Sequence, residues 1–164
     1  VAFLERVVNP PLYKVASADL VNTVLLERLA ATRKPLILST GIANLDEIDE
    51  TAAFLLRRNI PFALLHCQST YPAPENALNL AMIPKLAARY RVPIGYSGHE
   101  LGIDHTIEAV AMGAAIVERH ITLNQKAPGP DHAASLTPEQ FRELVRRIRA
   151  CEIARGVAKT LAFQ

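Results

Sequence analysis

The 164-residue chain has no tryptophan and only four tyrosines and five phenylalanines. That leaves little aromatic surface on which bases could stack, which argues against a single-stranded nucleic-acid platform. Its two cysteines, Cys67 and Cys151, are too few and too far apart for a disulfide framework or a zinc cluster. They read as free thiols in a reducing compartment. No apolar run reaches membrane-spanning length and no signal peptide opens the chain, so the expectation is no membrane and a cytoplasmic location. No G-x-G-x-x-G opens a helix; "STGIANLDE" has one glycine, enough for a turn and too few for a dinucleotide loop. Charge of one sign is also missing, since 18 basic side chains face 16 acidic ones for a net +2. The only basic cluster, Arg142, Arg146, Arg147 and Arg149, is interrupted by apolar residues at helical spacing. It reads as a solvated helix face rather than a nucleic-acid site.

Half of the residues are hydrophobic, enough for one compact domain over residues 1–164 with a core of its own. The opening "VAFLERVV" has the style of a helix interior, as if cut from something longer. Five short β-rich runs follow, "LYKVAS", "PLILST", "PFALLHC", "VPIGYS" and "AAIVERH". Each is continuously apolar, as expected of parallel strands covered on both faces. Helical patterns lie between them at Leu20–Thr32, Leu45–Arg58, Leu78–Tyr90 and Ile103–Met112, and a last one runs from Pro138 to Arg155. Asn44 and Thr137 are predicted N-caps, the latter with Pro138 at the first helical position and Gln140 at the capping-box position. Pro35, Pro61 and Pro93 each stand just before a strand. A strand-plus-helix repeat of about 20 to 30 residues marks βα units. The fold class is therefore α/β with about five parallel βα units. Either an open doubly wound sheet or part of a (β/α)8 TIM-type barrel fits, and the glycine pattern disfavours the first.

In a barrel the chemistry belongs at the C-terminal strand ends, and polar residues fall there in all five units. The runs end in Lys14 and Ser17; Ser39 and Thr40; His66, Gln68, Ser69 and Thr70; Ser97 and His99; and Glu118 and His120. Each has a duller reading: a serine after a strand usually caps a helix or makes a turn, and a lone strand-end histidine is more often structural than a ligand. Lys14 inside an apolar strand differs, because it must reach a polar cavity or an anion to avoid a large desolvation cost. One lysine with several hydroxyls makes a cradle for a phosphate. Two neutral imidazoles on adjacent strands, His99 and His120, could hold a divalent metal with open positions for water or substrate. The long loop "LNQKAPGPDHAASLTP" brings Asp131 and His132, and "HCQSTYPAPENALNL" brings Tyr71, toward the same mouth.

In order along the chain, "YKVASADL", "KPLILSTG", "LLHCQSTYPAPENALNL", "VPIGYSGHELG", "VERHITL" and "GPDHAASLTPEQF" resemble the sialic acid synthases, from about Leu12 to Arg155. That family condenses phosphoenolpyruvate with an N-acylated amino sugar such as N-acetylmannosamine. The resemblance implies that His99 and His120 bind Mn²⁺, or Mg²⁺ or Co²⁺, and act in catalysis through it. Lys14, Ser17, Ser39 and Ser97 fall on its phosphoenolpyruvate positions, Ser69 on a further polar position there, and Tyr71 and Asp131 on its sugar positions. Many members carry Asp between the Ser and His of S-x-H; Gly98 here is a variant also found in the family.

The resemblance also implies parts not supplied here. The chain matches only the last five strands of the family's eight. The glutamate thought to handle the attacking water, a second phosphate-binding lysine and part of the sugar site would lie in the first three. The small antifreeze-like C-terminal domain, which lends an arginine to the partner subunit's site, is not matched either. The chain alone is expected to be catalytically silent, with open sheet edges that pair with a second copy or with the missing N-terminal half. The alternatives are a legionaminic or related nonulosonic acid synthase of the same mechanism, with "GPDHAAS" less like the pseudaminic branch, and a non-catalytic half-barrel whose job is assembly.

Overall fold

A computed structural model describes residues 1–156; residues 157–164, which the expected domain included, lie outside the described residues. Five strands, β1 (Tyr13–Val15), β2 (Leu36–Ser39), β3 (Phe62–Cys67), β4 (Ile94–Gly98) and β5 (Val117–Arg119), form one sheet in the order β1-β2-β3-β4-β5. Every neighbouring pair is parallel. The connections carry helices α2 (Thr23–Ala30), α3 (Leu45–Arg57), α4 (Met82–Tyr90) and α5 (Asp104–Ala111); α1 (Ala2–Val7) precedes the sheet and α6 (Pro138–Arg155) follows it. This is the half-barrel that the repeating pattern predicts. No helix among the described residues is long and apolar enough to cross a membrane.

Strand side chains alternate between two faces. Tyr13, Val15, Leu36, Leu38, Phe62, Leu64, Ile94 and Tyr96 belong to one buried apolar cluster with Leu26 and Leu29 of α2, Ile48 and Leu55 of α3, Ile83 and Leu86 of α4 and Ala109 of α5. The other face is concave. Lys14 pairs in register with Ile37 and Ile37 with Ala63, while Cys67 pairs with Ser97 and Ser97 with Glu118. The curl is steep. In a flat sheet β1 and β5 would stand roughly 19 Å apart at the usual strand spacing, yet Lys14 Nζ lies 3.5 Å from Glu118 Oε1. At the N-terminal ends of the strands, Leu12, Leu36, Ile37, Phe62, Ala63, Ile116 and the three pre-strand prolines line an open apolar hollow of about 490 Å³.

The caps hold as expected, with one addition. Asn44 and Glu47 exchange side-chain and backbone hydrogen bonds in a capping box, as do Thr137 and Gln140. Asn22 caps α2 by accepting from the Leu25 N–H, so that helix starts at Thr23 rather than at Leu20. The helix expected from Leu78 begins only at Met82. Glu75–Ala77 is a 3-10 turn and Asn79 takes a left-handed φ of 53°, which interrupts the first turn. At the far edge, Leu136 donates its N–H to His120 O and accepts from Thr122 N, so the long loop covers the strand exit beyond β5.

Helices α3 and α4 are strapped together by Asp49, which accepts two bonds from the Arg89 guanidinium and one from the Tyr90 hydroxyl. These partners pull the Asp49 carboxyl from its ordinary 3.8 down to about 2. A depressed carboxylate stabilises the fold above its unfolded-state value and loses that contribution as pH falls through its folded one. Asp49→Asn should therefore lower the thermal midpoint above pH 4, and the deficit should close between pH 4 and 2. A deficit independent of pH would contradict the assignment.

Candidate functional site

The upper rim of the concave face collects the polar residues. Glu118 Oε1 accepts from Ser97 Oγ at 2.8 Å and lies 3.5 Å from Lys14 Nζ, so the lysine meets its anion across the bowl. Ser17, opening a 3-10 turn just past β1, sits 3.3 Å from Cys67 Sγ and accepts from the Gly41 N–H at 3.2 Å. Ser39 Oγ is buried and has no hydrogen-bond partner among the described residues. An unpaired buried hydroxyl is costly unless a ligand satisfies it. Ser69 lies directly against Gly41, where an added Cβ would collide with its Oγ and with Cys67 Sγ.

His99 and His120 face each other at the ends of β4 and β5, with ring centroids 5.3 Å apart and edge-on. His99 Nδ1 lies 2.6 Å from Gln68 O. A carbonyl only accepts, so Nδ1 carries the proton and the Nε2 lone pair is free, the tautomer a metal ligand needs. Burial lowers the His99 pKa against the opposing pull of the Gln68 carbonyl, which favours the neutral ring. Tyr71 stacks obliquely over His99 at 4.1 Å and meets His120 edge-on at 5.6 Å. Asp131 Oδ2 stands 3.7 Å from His120 Nδ1. Among the described residues no group of three or more His, Cys, Asp or Glu is arranged to hold an ion by itself. The two imidazoles are the side chains of this rim that could hold a divalent metal, with open positions left for water or substrate.

The structure brings the sequence-derived residues into two neighbouring groups. Lys14, Ser17, Ser39, Ser69 and Ser97 line the bowl, and His99, His120, Tyr71 and Asp131 form its mouth. Two strand-end histidine and loop expectations resolve differently. His66 alternates out to the helix side, where Nε2 bonds to Leu78 O at 2.7 Å and burial lowers its pKa. His132 Nδ1 pairs with Thr122 Oγ1 at 2.7 Å and braces the loop. Glu118 and the Gln68 carbonyl were legible only as polar strand ends. Their roles as partner of Lys14 and orienter of His99 needed the register between strands.

The sequence profile of the NeuB family matches residues 1–160. The chain belongs to the NeuB family. It is 41% identical over 150 residues to N,N'-diacetyllegionaminic acid synthase of Campylobacter jejuni, covering 88% of this chain and 44% of that protein. It is 40% identical over 157 residues to human N-acetylneuraminate-9-phosphate synthase, covering 95% and 44%. The crystal structure of the N-acetylneuraminic acid synthetase from Leptospira borgpetersenii, in complex with citrate, superposes with a TM-score of 0.89 at 38% identity, over 94% of this chain and 54% of that one. This NeuB chain thus spans under half the length of the Campylobacter and human synthases and about half of the Leptospira chain.

The close approach at Gly41 gives a test of the serine cluster. Gly41→Ala must push Ser69 and Cys67 aside, and overpacking of this kind costs about 1–3 kcal/mol. A urea midpoint equal to the parent's would show that the cluster is loose.

Proposed function

We propose that this chain carries the metal and phosphate half of a nonulosonic acid synthase site, one that joins phosphoenolpyruvate to an N-acylated amino sugar and releases phosphate. The observation that carries this reading is the buried Ser39 hydroxyl, unpartnered among the described residues, on the same concave face as Lys14 and as the facing rings of His99 and His120. The family membership and the synthase relatives support it.

In this reading Lys14 exchanges its contact with Glu118 for the phosphate. Ser17, Ser39 and Ser97 donate hydroxyl protons to the phosphate oxygens, with Ser69 alongside. Tyr71 and Asp131 orient the open-chain sugar, the carboxylate accepting from its hydroxyls. A divalent ion such as Mn²⁺, held by His99 and His120, would supply Lewis-acid polarisation of the sugar aldehyde. The enol electron pair of phosphoenolpyruvate C3 forms the new carbon–carbon bond, and the aldehyde oxygen takes up a proton. Water adds at C2, its first proton balancing the one taken by the aldehyde oxygen, and phosphate leaves by cleavage of the C2–O bond with the second, which leaves the C2 ketone. Glu118 faces the bowl beside Lys14 and keeps the ammonium directed inward before the anion arrives.

The test combines the purified chain with the N-terminal half-barrel of a family relative and follows phosphate release from phosphoenolpyruvate. The expected result is release that requires the sugar and both halves. The chain alone should release none, and sugar-dependent release by it would contradict the assignment of the remaining machinery to the other half. Combined halves that co-elute yet stay silent with sialic, legionaminic and pseudaminic precursors would overturn the reading.

A further inference from the structure

Behind the two histidines, on the opposite face of the sheet, lies a buried ion pair. Arg119 precedes His120 and Glu100 follows His99, and their side chains are 0% and 1% exposed. Arg119 Nη1 donates to Glu100 Oε1 at 2.8 Å, to Thr106 Oγ1 at 2.7 Å and to Gly102 O at 2.9 Å. Its Nη2 donates to Glu100 O at 2.7 Å and to Ala134 O at 3.4 Å. The Glu100 carboxylate also accepts from Tyr96 Oη at 2.8 Å and from Thr106 Oγ1 at 2.6 Å. One planar guanidinium therefore ties together the exit of β4, the exit of β5 and the loop that carries Asp131. The packing is tight: a Cβ at Gly98 would come within 2.6 Å of Glu100 Oε2 and 2.8 Å of Arg119 Cδ.

We infer that Arg119 and Glu100 are positioning residues that set the spacing and orientation of His99, His120 and Asp131. A buried ion pair is weak evidence for stability, because desolvating two charges offsets most of their attraction. What this pair supplies is geometry. Its five donor contacts reach backbone carbonyls and side chains on three separate segments, and a rigid fork fixes their separation where a lysine, whose three donors share one nitrogen, would not. The two imidazoles leave β4 and β5 on the opposite face, so a shift of either strand exit moves the rings with it. The part of this inference that concerns metal affinity rests on the metal reading above; the part that concerns the rings does not.

The test uses the full chain and two variants. Arg119→Lys keeps the charge and loses the fork. Arg119→Met with Glu100→Leu removes both charges together, a replacement that buried pairs commonly tolerate without loss of stability. The first readout is the long-range ¹H–¹⁵N imidazole spectrum without metal. The parent should show His99 as the Nδ1–H tautomer, and either folded variant should show a mixed or exchange-broadened ring. The second is Mn²⁺ titration, in which the variants should bind about 10- to 100-fold more weakly, the usual loss for residues behind metal ligands. Folded variants with parent imidazole spectra would overturn the inference. Failure of the parent to take up Mn²⁺ would instead overturn the metal reading, while the spectra still decide the role of Arg119 and Glu100.

Discussion

The register between β3, β4 and β5 places Cys67, Ser97 and Glu118 in one row, and everything about the bowl depends on that alignment. Side chains of a strand alternate between faces, so a slip of one residue in β5 would send Glu118 and His120 into the helix layer and Arg119 into the bowl. Both outcomes are costly. Arg119 would lose five buried acceptor contacts, and the helix side would have to take in a carboxylate. The apolar cluster under α2, α3, α4 and α5 fixes the register of β1 to β4 from the other side, through Tyr13, Leu36, Leu64 and Tyr96.

From this register the site follows by curvature. The sheet curls enough for the two edge strands to share an ion pair, Lys14 to Glu118, across the bowl. The buried polar groups then divide by face. Behind the sheet the network around Arg119 satisfies nearly every donor, leaving only its Nε without a partner among the described residues. Inside the bowl the unpartnered group is Ser39 Oγ, where an arriving anion can accept its proton. Stability and function are thus kept on opposite sides of the same five strands.

Much of this was legible in the sequence. Continuous apolar runs and pre-strand prolines located all five strands, and the cap residues Asn44 and Thr137 located the starts of α3 and α6. The C-terminal strand ends located the candidate site because polar residues there have no apolar layer to join. What the sequence hid was pairwise. His66 and His99 look alike in the chain, and only the pleat and the loop from Gln68 to Leu78 separate a structural ring from one with a free Nε2. The start of α4 was misread because Asn79 in a left-handed conformation breaks an otherwise helical pattern. The network around Glu100 and Arg119 was missed because it joins residues on β4, β5, α5 and the final loop, which no local spacing connects.

The proposed metal site requires that these five strands by themselves hold His99 and His120 facing each other. Calorimetric titration of Mn²⁺ into the chain, beside the His99→Ala, His120→Ala double variant, tests it most directly. One saturable site is expected in the parent and none in the double variant. Equal heats in both, or no saturable binding in the parent, would contradict it.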